Sequence, residues 1–521
     1  MTGTGLLIRL IVRRERWILP LWTALLVLMT AGQAKRYAST FPDPGSLAAF
    51  AAQMADNRAL LAFAGRIYEP SAGGLVAWRI GDTIYTLIGL MAILTVVRHT
   101  RAEEDSGRAD LVGAGIVGRY APLAASLTVS TAASIVTGLL TALGTMSIGA
   151  GGAFAFGLGI AVAGTFFGAV AAVAAQLTSD ARSAIGLASA VLGLGYLLRF
   201  GADASGAEWL KWLSPQGWSH LIRPFADTNP APALLGLVLA AACCALAGWL
   251  RGRRDLGLGL IPQRLGPAAN PALTGPFALA WRQQRGLLGG WTAAFAIAGL
   301  FFGALATSIP GMTSGGPAAQ EFFRRFAEGD NASMTDAYLW LTALSLGYVA
   351  ALYPMLAVLR LRAEESNGLT ELLLATPMTR VRMAGAQFAV AAAGTVVVLL
   401  AAGVTMGAAA GDMWRVLGAV LLQAPAVLLI GSVSALAFGL LPRAAAGISW
   451  AVFFFVNLFG EVLGPIMKID YWIANLVVPF HHLPKVLSGG QWAAGPVLAM
   501  TTITLAIGCA ALAAYRRRDV V

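Results

Sequence analysis

The sequence predicts an all-α polytopic membrane protein: twelve transmembrane helices in two parallel six-helix repeats, with interfacial helices beside the spans. Three observations carry that expectation. The composition is apolar, with 58% hydrophobic and 12% charged residues among 521 and a mean hydropathy of +0.72; a soluble domain carries about 25% charged residues. Apolar runs of about 18 residues or more, long enough to cross a bilayer as helix, recur along the whole length. In hydrocarbon every backbone polar group needs an internal partner, and this Ala/Leu/Gly/Val-rich chain meets that need as helices rather than a barrel. Third, one charged stretch occurs twice, RAEEDSG at 101–107 and RAEESNG at 362–368. Asp110-Leu111 and Arg119 follow the first copy as Glu371-Leu372 and Arg380 follow the second, at the same spacing.

Arg9, Arg13, Arg14 and Arg16 precede the first span, 17–33. A basic start before an apolar run also describes a cleaved signal peptide. Arg282, Arg285 and Trp291-Thr292-Ala293 repeat the order of Arg13, Arg16 and Trp22-Thr23-Ala24 in mid-chain, so the segment reads as a retained helix. Leu6, Leu7, Leu10 and Ile11 share one face ahead of it and predict an interfacial amphipathic helix. Residues 35–77 are mixed and form an outer loop, and 82–97 is the second span. Beyond the charged stretch come spans 122–146, 152–177 and 182–198. Residues 200–229 carry Trp209, Trp212 and Trp218, an aromatic-belt signature, and 231–250 is the sixth span.

Residues 1–255 therefore form the first six-helix unit and 256–276 a linker rich in Gly, Pro and Arg. Residues 277–521 form the second unit, with spans at 286–307, 336–359, 383–408, 416–440, 444–463 and 493–515. Arg516-Arg517-Arg518-Asp519 closes the second unit as Arg253-Arg254-Asp255 closes the first. Gly164 with Gly168, and Gly403 with Gly407, suit close helix packing. Pro20, Pro354 and Pro425 fall within spans and predict kinks. An even number of spans per unit makes the repeats parallel. Most arginines fall on one side when the amino terminus is placed inside, which puts both termini and both charged stretches in the cytoplasm.

The net charge of +11 does not point to nucleic acid, because the arginines sit at the ends of apolar runs, as topology signals do. No nucleotide-binding Gly-rich loop ending in Lys is present; the lysines are Lys35, Lys211, Lys468 and Lys485. No zinc-protease pair or serine elbow stands out. Adjacent His481 and His482 point different ways on a helix and have no carboxylate at ligand spacing, so no metal site is expected. Cys243, Cys244 and Cys509 lie in apolar runs and read as small fillers. Away from span ends the helices carry almost no ionisable residues, and Asp82 with Arg79 reads as a local pair near the outer end of the second span. A proton-coupled pump would need a carboxylate nearer the midplane, so the energy source is expected on another chain.

The duplicated stretch carries a resemblance. Arg101-Ala-Glu-Glu-x-x-Gly107 with Asp110-Leu111 and Gly118-Arg119, and Arg362-Ala-Glu-Glu-x-x-Gly368 with Glu371-Leu372-Leu373 and Thr379-Arg380, resemble the loop after the second span in permeases of ATP-binding-cassette exporters of the type-two export class. The whole chain looks most like the actinobacterial polyketide-antibiotic exporter permeases, in which two six-helix units are fused. The second copy also has Ala375-Thr376-Pro377-Met378, similar to the family's run before the arginine; the first has Gly113-Ala114-Gly115-Ile116, without the proline.

The resemblance implies a short coupling helix in each loop, docked on the ATPase subunit. It marks Arg101, Glu103, Glu104, Gly107, Arg119, Arg362, Glu364, Glu365, Gly368 and Arg380 as ATPase-coupling residues. It also implies interfacial helices at 6–16 and 277–285 and short outer helices at 209–225 and 471–486. Independently, carboxylates near a helix start would favour its dipole, and Gly107 and Gly368 would permit a bend.

The expectation is a permease of a bacterial plasma membrane that exports an amphipathic or lipophilic, drug-like compound by alternating access. A separate ATPase, two copies per permease chain, would supply ATP and Mg; this chain would carry no catalytic residue, cofactor or metal. Phe453, Phe454 and Phe459 are candidates to line the substrate path, although consecutive phenylalanines cannot all face one side. Arg199 and Glu461, at the outer ends of the two fifth spans, are candidates for an ion pair at the outer gate. Two other classes fit the same composition: an ion-gradient-driven secondary transporter, and a non-transporting membrane anchor or regulatory subunit.

Overall fold

The structure is a computed structural model that describes residues 2–40, 44–55, 65–113, 115, 117–255, 257–261, 273–307, 333–366, 368–458 and 478–518. Every regular element among these residues is a helix. Contacts divide the chain into two compact units, Met1–Gly266 and Pro267–Val521. Among the described residues, 11 helical segments are long and apolar enough to cross a membrane. Twelve were expected. The span predicted at 444–463 is described as the shorter helix Ala445–Leu458, and the rest of it lies outside the described residues.

In the first unit the elements are α1 (Thr4–Arg14), α2 (Ile18–Thr40), α3 (Pro44–Ala55), α4 (Ala72–Arg98), α5 (Arg101–Asp105) and α6 (Arg108–Gly113), followed by α7 (Ala121–Thr145), α8 (Ala150–Leu177), α9 (Ala181–Ser205), α10 (Pro215–Leu221) and α11 (Ala231–Arg253). Helix α1 is separate from the first span, as its amphipathic pattern predicts, and inserts Ile11 beside Ala125 and Val129 of α7. The break after α1 has a chemical cause. Glu15, 2% exposed, caps it and accepts hydrogen bonds at 2.7 Å from His99 and 3.1 Å from Arg98.

Helix α4 begins ten residues before the predicted 82, because the Ser71 hydroxyl accepts from the Gly74 amide and caps it there. Helix α8 is the centre of the unit, packed by α4, α7 and α11. A Cβ at Gly138 of α7 would lie 2.3 Å from the Gly157 carbonyl oxygen of α8, so that crossing requires glycine. The predicted outer helix at 209–225 is a 3-10 turn (Glu208–Leu213) followed by α10. Trp209 and Trp212 are exposed as a belt requires, but Trp218 is buried against Phe166, with ring centroids 5.1 Å apart.

In the second unit the elements are α12 (Pro276–Ala306), α13 (Met334–Ala350), α14 (Leu352–Ser366), α15 (Leu369–Leu374) and α16 (Arg380–Ala410), then α17 (Met413–Leu421), α18 (Ala424–Leu440), α19 (Ala445–Leu458) and α20 (Ala494–Arg517). The interfacial helix expected at 277–285 is not separate; α12 runs through it without a break. Gln284 stands where the first unit has Glu15. Its amide donates to the carbonyl and side-chain oxygens of Gln387 at 3.1 and 2.7 Å, so no buried charge needs a helix end there.

Pro354 and Pro425 sit in the first turns of α14 and α18 and divide two spans into helix pairs, α13–α14 and α17–α18. Pro20 breaks nothing, because it occupies the first turn of α2, where a missing amide hydrogen is harmless. The core of the second unit centres on Trp340, Tyr353, Val398 and Ile430.

Candidate functional site

Each copy of the duplicated stretch folds into a helix, a left-handed glycine and a short second helix. In the first, Gly107 has φ +71° between α5 and α6; in the second, Gly368 has φ +72° between α14 and α15. Only glycine adopts that conformation without strain. The carboxylates follow the expected polarity only in the first copy. Glu103 and Glu104 lie in the first turn of α5, whereas Glu364 and Glu365 lie at the carboxyl end of α14, where the dipole disfavours them. Their compensation comes from arginines: Arg360 at 3.0 Å from Glu364, and Arg518, which donates to Glu365.

The charged residues of both copies make the same four attachments. Arg101 donates to the Ser179 carbonyl, in the loop between the fourth and fifth spans, and Arg362 donates to the Arg443 carbonyl in the matching loop at 2.9 Å. Glu103 binds Arg14 at 2.9 Å, and Glu364 accepts from Gln283, which stands in the matching place before the unit's first span, at 3.3 Å. Glu104 holds Arg254, just past the last helix, at 2.7 Å, and Glu365 holds Arg518. Arg119 donates to the Arg254 carbonyl at 2.7 Å, and Arg380 to the Arg518 carbonyl at 2.6 Å. The repeated motif is thus a latch that fastens the loop to the last helix of its own unit.

This geometry redistributes roles within the stretch. Arg101 is fully buried, and the Glu104 and Glu365 side chains are 4% and 7% exposed, so these groups anchor the loop rather than display a surface. The displayed groups are on α6 and α15. Leu111 and Leu372, at the same place in each copy, are 78% and 71% exposed. The sequence held that signal, since both leucines follow the acidic residue of the pair Asp110 and Glu371, but charge drew attention from them.

A second polar cluster lies toward the other end of α4 and α9. Asp82 binds Arg199 at 2.8 Å and His220 at 2.8 Å, so its partners are not its neighbour Arg79. Arg199 also reaches Asp203 at 3.3 Å, and Asp203 binds Lys211 at 2.7 Å. Arg199 and Lys211 are fully buried. Burial works against the Lys211 ammonium, but the hydrogen bond and charge of Asp203 outweigh it and raise its pKa above the ordinary lysine value. Sequence reading missed this cluster because its members lie far apart in the chain.

Glu461 and Phe459 lie outside the described residues. On α19, Phe453 is buried in the unit's core, while Phe454 is half exposed and stacks on Trp450 with centroids 5.6 Å apart. Among the described residues no group of three or more His, Cys, Asp or Glu could hold a metal ion.

Eleven apolar helical segments among the described residues, with two latched loops between them, define a multi-pass helical membrane protein. The protein family described as "Multidrug efflux system permease Rv1217c, C-terminal domain" matches residues 7–251 and 273–516. The multidrug efflux system permease protein Rv1217c of Mycobacterium tuberculosis is 39% identical over 532 residues, spanning 100% of this chain and 95% of its own. The chain belongs to this family of multidrug efflux permeases.

Proposed function

We propose that this chain is the membrane-spanning subunit of an ATP-driven ATP-binding-cassette exporter that moves amphipathic or lipophilic, drug-like compounds out of a bacterial cell. Its architecture is twelve spans in two parallel six-helix repeats, with both termini and both latched loops in the cytoplasm. The observation that carries the reading is the pair of helix–glycine–helix knobs, each latched to the last helix of its unit and each presenting an exposed leucine at the same register. A rigid apolar knob suits docking into a groove on a partner. Two of them on one chain suit a pair of ATPase subunits, which would bring the ATP and Mg. The two-stretch family match and the relative's printed role in multidrug efflux support export.

The test is the double variant Leu111→Asp with Leu372→Asp, expressed with the proposed ATPase partner. Permease yield should be unchanged, ATPase co-purification should be lost, and cells should accumulate a lipophilic dye. The panel should include polyketide antibiotics as one substrate class. Normal efflux with normal ATPase retention in that variant would remove the proposal.

A second reading, an ion-gradient-driven transporter, draws on the buried Asp82, Arg199 and Lys211 cluster, the kind of group that marks ion pathways. It predicts that vesicles containing only this chain take up substrate when a proton gradient is imposed. The exporter reading predicts no uptake.

A further inference from the structure

The first unit holds a cavity that its latch does not require. It lies between α1, α5–α6, the start of α7 and the end of α11, with a volume of about 410 Å³, within the range of small-molecule sites. One side is apolar, formed by Leu7, Leu10, Ile11, Pro122 and Leu123. The other is basic: Arg14, Arg108, Arg119, Arg251 and Arg254 line it together with Glu103, Glu104 and Asp255. Five arginines against three carboxylates leave two positive charges in excess.

The second unit supplies the control. Its latch works with one arginine, Arg518, on Glu365. The first unit sets both Arg251, at 2.5 Å, and Arg254, at 2.7 Å, on Glu104. Where the first unit has Arg14, Arg108 and Arg251, the second has Gln283, Leu369 and Tyr515. Tyr515 is fully buried and stacks on Phe438, with centroids 5.5 Å apart, filling the place of Arg251 with an apolar ring. Glu103 thus has two arginines, Arg14 and Arg108, where Glu364 has one, Arg360, and Glu104 has Arg251 besides Arg254 where Glu365 has Arg518, so the first unit sets more cations on its loop than the second needs to hold the same loop.

They also have donors to spare. A guanidinium carries five N–H groups. Among the described residues Arg14 gives one to Glu103, Arg108 gives two to Glu103, and Arg119 gives one to the Arg254 carbonyl. Spare guanidinium donors suit an oxyanion of phosphate type. The apolar wall belongs to α1, an amphipathic helix whose Leu6 and Leu10 are exposed, the kind of helix that lies in a bilayer surface.

We propose that this cavity binds an anionic phosphate head group that carries an acyl chain, an anionic phospholipid of the adjacent leaflet, with the phosphate on Arg14, Arg108 and Arg119 and the chain along Leu7, Leu10 and Leu123. The inference does not depend on what energises transport.

The test uses the full-length chain in nanodiscs and in detergent, with phosphatidylglycerol or phosphatidylcholine as the probe. Native mass spectrometry should find phosphatidylglycerol retained, and the thermal midpoint should rise with it but not with phosphatidylcholine. Arg14→Gln with Arg108→Leu installs the residues of the second unit. It should weaken phosphatidylglycerol retention by about 30-fold, from about fivefold for each of the two arginines near a membrane surface, and should abolish the rise in thermal midpoint that phosphatidylglycerol gives over phosphatidylcholine. Leu10→Ser should weaken retention of the lipid while leaving any effect of glycerol phosphate unchanged. Retention independent of head-group charge, or unaltered by both variants, would overturn the site. Equal stabilisation by inorganic phosphate or glycerol phosphate, with no gain from the acyl chain, would overturn the lipid assignment in favour of a free anion.

Discussion

Glu104 and Glu365 occupy one role with unequal support. Glu104 is held by Arg101, Arg251 and Arg254, and Glu365 by Arg518. Removing one partner of a buried pair leaves the other charge uncompensated, at about 3–5 kcal/mol. Glu104→Gln takes the carboxylate from three buried arginines and should fall in that range; Glu365→Gln takes it from Arg518 alone and should cost less. Thermal midpoints of the purified variants measure the difference, and equal losses would contradict the account. Charge reversal at both glutamates should reduce the folded yield itself, so it is a poor probe of coupling. At Gly107 and Gly368 nothing lies within 4 Å of an added Cβ, so only the backbone resists substitution. Alanine at either should cost about 1–2 kcal/mol, and asparagine, which tolerates the left-handed region better, should cost less in the same assay. Lys211 gains a partner on folding and its pKa is raised, so its contribution is complete below the unfolded lysine pKa and fades only as pH rises through the higher folded value. The Lys211→Met penalty should therefore be constant across neutral pH.

Among the elements, helix contacts divide by what meets the glycine. A Cβ at Gly138 would meet the Gly157 carbonyl oxygen at 2.3 Å, and backbone cannot move aside without shifting α7 from α8. At Gly252 the nearest atom is the Tyr120 hydroxyl at 3.0 Å, the far end of a side chain that can turn away. Gly138→Ala should cost about 1–3 kcal/mol, in the range of overpacked cores, and Gly252→Ala less; reversal of that order in thermal midpoints would contradict the packing described. The same contrast explains which elements could be read in advance. Interfacial α1 was legible from its apolar face, and the duplicated loop from its repeated charges. That its counterpart fuses into α12 was not, because the outcome turns on Glu15 meeting His99 where Gln284 meets Gln387, two pairings across distant segments.

For the whole molecule, contacts cluster into two units, Met1–Gly266 and Pro267–Val521, each with its own buried core. The latch of each unit closes on that unit's own last helix. Expressed as separate polypeptides, 1–266 and 267–521 should each insert and resist proteolysis in the membrane. Degradation of either half alone would show that its core is incomplete. Sequence alone determined the membrane class, the approximate places of the eleven described spans, the repeated charged stretch and the loops that carry it. Those properties reside in composition, in apolar run length and in a charge pattern that survives as text. Only the tertiary structure decided what the repeated charges do. Arg254 and Arg518 lie far along the chain from Glu104 and Glu365, as Arg199 and His220 do from Asp82, and in a low-dielectric interior a buried charge is settled by whichever opposite charge folding brings beside it. Chain order carries no record of that proximity, so Arg101, Glu104 and Glu365, expected to face a partner, are buried as anchors, while Leu111 and Leu372 are exposed.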